Sequence, residues 1–156
     1  MSKAFWNCFF DDYCYMNFNC SKELQDEFAK FVKDKINQKC KSYVACGCED
    51  SVNSACETSG TYNKVKYHKE LKDTIKSKLN CNIGDKKGKN NNGGDLVVGV
   101  CAEQHAANSV LFKSYPNEDK TIDIAKELRF TKAVRLKSKY MDAEFPACSN
   151  CMTIFS

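Results

Sequence analysis

Leu96-Val97-Val98-Gly99-Val100-Cys101-Ala102-Glu103 changes character midway. Its first five residues are short, apolar and rich in valine, which suits a buried β-strand. From Cys101 to Lys113 alanine takes over. Ala102, Ala106 and Ala107, with Val110 and Leu111, favour a helix buried on one face. Pro116 and Asn117 stop that helix. Downstream, Thr121–Leu128 reads as a short helix and Phe130–Leu136 alternates like a strand. Pro146 precedes a last short helix over about residues 148–155. Strand, helix, short helix, strand, helix is an α/β order.

Upstream, Gly84 to Gly94 is a long polar loop on composition alone. Residues 64–79 read as a helix with Leu71, Ile75 and Leu79 in line. Residues 41–63 carry Gly47, Gly60 and many Ser, Thr and Asn, and read as an irregular or hairpin segment. Residues 22–39 form an amphipathic helix through Leu24, Phe28, Phe31 or Val32, and Ile36. Ser21 is its expected N-cap, and Glu23 favours the positive end of its dipole.

The 156 residues suffice for one compact unit. We divide it into a Cys-rich N-terminal segment, 1–60, with a helix of its own, packed on a second portion, 61–156. With 42% hydrophobic and 28% charged residues the chain is not wholly disordered. No apolar run approaches the ~20 residues of a membrane helix. Met1 to Cys20 mixes aromatics with Asp11, Asp12 and several Asn, and lacks the pattern of a signal peptide. The eleven cysteines make up about 7% of the chain, just under the ~8–10% of a disulfide scaffold. An odd count leaves at least one outside any intrachain disulfide. Cys8, Cys14, Cys20, Cys40, Cys46, Cys48 and Cys56 fall early; Cys81, Cys101, Cys148 and Cys151 follow.

Cys101-Ala102-Glu103 and Pro146-Ala147-Cys148-Ser149-Asn150-Cys151 each open an expected helix after an expected strand. Helix N-termini favour thiolates, and cysteines three apart there point the same way, which suits tetrahedral Zn²⁺. Three protein ligands leave a position for water, the catalytic pattern. Glu103 would face the same site as a proton carrier without binding metal.

These two segments resemble the signature of zinc-dependent nucleobase deaminases, C-x-E followed by P-C-x-x-C. The Cys-Ala-Glu form and the Ala-rich helix are most similar to bacterial polymorphic-toxin deaminases of the YwqJ type. The resemblance spans roughly residues 95–156. It implies a cytidine-deaminase-like mixed sheet flanked by helices. It also implies Zn²⁺ on Cys101, Cys148 and Cys151, with Glu103 as proton shuttle in hydrolytic loss of an exocyclic amine. Ala102, His105, Phe145 and Pro146 are candidate substrate contacts. Phe145 either stacks on the base or packs in the core; His105 is either a contact or an ordinary polar helix residue.

Lys and Arg exceed acidic residues by about five in each of the stretches 61–95 and 120–140. They either rim the site and hold phosphates or form a solvated surface. With the resemblance, the expected reaction is cytosine to uracil in nucleic acid, DNA ahead of RNA, on a single-stranded or flipped-out base. The resemblance further implies a monomeric toxin domain of a secreted bacterial effector, acting in the target-cell cytoplasm and met by a cognate immunity protein. The rivals are an RNA or free-nucleoside deaminase and a non-enzymatic Cys-rich binding protein held by disulfides or structural zinc. The eight cysteines outside the cluster are left to disulfides, free thiols or a second zinc site.

Overall fold

A computed structural model of the chain describes residues 16–90, 92–137 and 143–156. The readings placed on residues 1–15, and on Lys139, lie outside the described residues. Helix α1 (Lys22–Asn37) begins at Ser21, whose side chain accepts from the Leu24 N–H at 3.1 Å. Its buried stripe is Leu24, Phe28 and Val32, as the periodicity predicts. The next segment is a hairpin, β1 (Val44–Glu49) against β2 (Ser54–Thr58). Asp50 closes its turn by accepting the N–H groups of Val52 and Asn53 at 2.8 and 2.7 Å.

Helix α2 (Lys69–Leu79) starts five residues later than the sequence suggests. Asn108 takes the backbone of the preceding segment, accepting the His68 N–H at 2.6 Å and donating to the Lys66 carbonyl at 2.8 Å. His68 then caps the helix, its Nδ1 accepting from the Glu70 N–H at 3.0 Å. Leu71, Ile75 and Leu79 are buried in line, as expected.

The expected polar loop is in fact a β-ribbon, β3 (Lys86–Lys89) paired with β4 (Asp95–Val97). Asn90 Oδ1 accepts the N–H groups of Asn92 and Gly94 at 2.8 and 2.9 Å, which folds the turn. The buried strand expected over 96–100 therefore ends at Val97 and belongs to this ribbon. Helix α3 (Ala102–Ser114), the short α4 (Ile124–Glu127), strands β5 (Arg129–Phe130), β6 (Ala133–Arg135) and β7 (Glu144–Phe145), and helix α5 (Ser149–Ile154) complete the chain.

The main sheet runs β2-β1-β6-β7, with β5 beside β1 just beyond β6. Along that side of β1, Cys46 and Gly47 face Thr131, Lys132 and Ala133. Two residues against three is a β-bulge. Thr131 bridges it, its N–H donating to the Gly47 carbonyl and its Oγ1 accepting the Gly47 N–H, both at 2.9 Å. Every described pairing is antiparallel, where the resemblance implies a mixed sheet. The connection from β6 to β7 is too short for the crossover that parallel neighbours need.

Strand β1 is buried on both faces because helices cover both. Ala45 packs with Phe28, Val32 and Leu136 under α1. Cys46 and Cys48 share the opposite core with Ala106, Ala107, Val110 and Leu111 of α3 and with Phe130, Ile154 and Phe155. A Cβ on Gly47 would lie 3.0 Å from Thr131 Cγ2 and 3.3 Å from Leu24 Cδ1, so glycine lets α1 close down. The segment before residue 60 thus supplies the central strand.

Among the described residues the nine cysteines are free thiols. Cys46 and Cys48 belong to the α3-side core and Cys56 to the α1-side cluster, so the sheet keeps these thiols apart. Burial raises the pKa of Cys46 and Cys48 well above that of a free thiol, so both stay protonated and act as small apolar groups.

Candidate metal centre

Helix α3 is enclosed rather than buried on one face: every residue from Ala102 to Asn108 is buried. Its alanines let the sheet approach closely. Cys101 is its N-cap and Cys148 is the N-cap of α5, both with extended backbone and no side-chain capping bond. Their sulfurs are free to turn toward one another. The Sγ atoms of Cys101, Cys148 and Cys151 all lie within 4.8 Å, and Cys101 and Cys148 are 3.4 Å apart. Thiolates around a tetrahedral zinc at about 2.3 Å would sit about 3.8 Å from one another, so the donor set and spacing fit. No fourth His, Cys or carboxylate joins the group among the described residues.

The two expected strand-to-helix junctions lie on different sheets. Cys101 leaves the ribbon and Cys148 leaves the main sheet. The ribbon braces both. Val98 is tied to residues 84–85: its carbonyl accepts the Gly84 N–H at 2.8 Å and its N–H donates to the Asp85 carbonyl at 2.9 Å. The Gly60 N–H donates to the Val100 carbonyl at 3.0 Å. Gly99 has φ +105°, and a Cβ there would meet Ile83 at 2.9 Å and Tyr62 at 3.1 Å. On the other side, Asn150 Nδ2 donates to the Lys87 carbonyl at 2.9 Å, pinning the first turn of α5 to β3.

The three thiols titrate as one group. Hydrogen bonds from Cys101 and Cys151, with the backbone N–H groups of Cys151 and Asn150, hold Cys148 down to about 3. The same contacts with Cys148 raise Cys101, and Cys151 rises through its bonds to Cys101 and Cys148. One thiolate sits at the α5 N-terminus with two thiols beside it, a cluster prepared to give up protons to a cation.

Glu103 is 4% exposed and forms no ion pair among the described residues. Burial raises its pKa to about 7, opposed by its own backbone N–H and reinforced by the charge of Cys148. His105 is buried, and its Nε2 has no partner among the described residues. Its ring lies 6.0 Å from that of Tyr67, and desolvation lowers its pKa. Ala102 is buried beneath the turn and Pro146 is exposed. Phe145 is half-buried against the core, with the Arg135 guanidinium 4.6 Å from its ring centre.

Sequence reasoning did not single out Gln104, fully buried in contact with Cys151, or Tyr67, which donates to the Gly99 carbonyl. Gln104 stands three residues after Cys101, on the adjoining helical turn, and that spacing is the signal available. Within 61–95, Lys66, Lys69, Lys86 and Lys89 are in ion pairs with acidic neighbours. In 120–140, Arg129 pairs with Glu49, whereas Lys132 and Arg135 lie over Phe18 and Phe145.

Comparison of the chain with protein families, curated proteins and solved structures finds no match.

Proposed function

We propose that the chain is a zinc-dependent hydrolytic deaminase that converts cytosine to uracil in nucleic acid, DNA ahead of RNA. The supporting observation is the convergence of three cysteine sulfurs beside a buried carboxyl poised near neutrality. Three sulfur donors suit Zn²⁺, which when bound lowers the pKa of a water in its open position. Glu103 needs to take a proton and give it back, and a pKa of about 7 serves both directions. It takes one proton from the attacking water to N3, then carries the remaining proton of the new C4 hydroxyl to the departing amine. An oxygen–C4 bond forms, the C4–nitrogen bond breaks, and ammonia leaves uracil. Arg135, whose guanidinium covers the exposed face of Phe145, offers a charge for a phosphate. The framework is of the α/β class that the reading calls for. On the same reading it is a monomeric toxin domain of a secreted bacterial effector, with an immunity protein as partner.

Glu103→Gln tests the reading. The zinc-loaded variant should keep its metal and its thermal transition and lose deamination by about 10²–10⁴-fold. Retained activity overturns the role of Glu103.

A further inference from the structure

Gln104 has no exposed surface, so each polar atom of its amide must find a partner inside the protein. Oε1 accepts the Gly99 N–H at 2.6 Å, and Nε2 donates to Cys151 Sγ at 3.3 Å. The amide cannot be turned over, because its NH₂ would then face the Gly99 N–H, donor against donor. Gly99 is itself fixed. Its carbonyl accepts the Tyr67 hydroxyl, and Ile83 and Tyr62 leave no space for a Cβ. Tyr67 thus fixes Gly99 through its carbonyl, while the Gly99 N–H donates to Gln104 and Gln104 to Cys151, two bonds in one sense through a single side-chain amide. Chains of that kind strengthen link by link.

We propose that Gln104 is the positioning residue of the metal centre, its amide N–H holding the Cys151 sulfur in place and offsetting its charge. The inference rests on the reading that Cys101, Cys148 and Cys151 hold a metal. Three thiolates bring three negative charges to a dication, leaving a net charge that a buried site must stabilise with donors. Cys148 has backbone N–H groups at the start of α5. Cys151 is fully buried further along the helix, and Gln104 is the donor that reaches it from α3.

Cobalt(II) titration tests this without any assay of activity. Its sulfur-to-metal charge-transfer band reports the thiolates directly, and competition with a chelator gives affinity. Gln104→Met keeps the length and removes the donor. Wild type should bind one cobalt, and the variant should bind about 10–100-fold more weakly with a displaced band. A residue that merely fills space would lower the melting temperature and leave the band where it was. Equal affinity and an unmoved band overturn the role of Gln104 while the metal site stands. Failure of the wild type to bind cobalt overturns the metal reading itself. Should Gln104→Met not fold, Tyr67→Phe decides by loosening Gly99: a smaller displacement in the same direction supports the positioning of Cys151 through Gln104, and an unchanged band overturns it.

Discussion

Gly99→Ala puts the turn that carries Cys101 under direct strain. At φ +105° an L-residue costs about 1–3 kcal/mol, since the backbone lies where a Cβ collides with its own chain. The new Cβ would also lie 2.9 Å from Ile83 Cγ2, 3.1 Å from Tyr62 Cβ and 3.2 Å from the Tyr67 hydroxyl. Relieving such overpacking costs about 1–3 kcal/mol more. The expected loss is therefore about 2–6 kcal/mol. At about 2–4 °C per kcal/mol for a chain of this size, the melting temperature should fall by at least about 4 °C. Two glycines calibrate the measurement. Gly93 has φ +83° with nothing within 4 Å of its would-be Cβ, so Gly93→Ala should show backbone strain alone, about 1–2 kcal/mol. Gly60 has open space and ordinary φ, and Gly60→Ala should be neutral or slightly stabilising. Denaturant unfolding of the three variants gives the order. Gly99→Ala should also weaken metal binding, because Cys101 is two residues away. If Gly99→Ala costs no more than Gly93→Ala, the packed turn does not hold Cys101 and the reasoning fails.

Glu49 accepts the Ser21 N–H and Oγ at 2.6 Å each and Arg129 Nε at 3.3 Å. Burial pushes its pKa up, but these donors outweigh burial and bring it below the usual 4.5. A depressed carboxyl stabilises the fold above its unfolded pKa and loses that contribution as pH falls through the folded value. Wild type should lose stability below about pH 4 more steeply than Glu49→Gln; equal acid limbs would remove this contact from the stability of α1. Removing zinc with a chelator should lower the melting temperature by the equivalent of about 2.7 kcal/mol when free zinc had stood a hundredfold above its dissociation constant. A melting curve indifferent to zinc would argue against a site linked to folding. Binding to single-stranded DNA should weaken steeply as salt rises. A flat response would point to a nucleoside instead.

The elements that were legible from sequence are those with one wet face. Leu24, Phe28 and Val32 stand out on α1 because lysines and acids fill the other side. Strand β1 was legible only as part of an irregular or hairpin segment, for the opposite reason. Covered by helices on both faces, Val44–Glu49 has no alternation to read, and its buried Glu49 is acceptable only because Ser21 and Arg129 come from distant positions to meet it. In the ribbon, Lys86–Lys89 passed for a loop because strand β3 is wholly exposed, and Asp95 opens β4 in water. Its strands are held by backbone pairing and by Asp95 contacts to Lys86 and Lys89.

At the site, residue types and spacing were enough to bring Cys101, Cys148 and Cys151 together, because each cysteine lies in the first turn or cap of a helix. Gln104 and Tyr67 needed the tertiary structure, since their partners are a sulfur 47 residues away and the backbone of Gly99.

The most direct test of the account is sequencing of single-stranded and duplex DNA and RNA after incubation with the zinc-loaded protein. The account expects C-to-U conversion, strongest on single-stranded DNA and absent with Glu103→Gln. Zinc-loaded, folded protein that leaves every cytosine intact in DNA, in RNA and as the free nucleoside would contradict it.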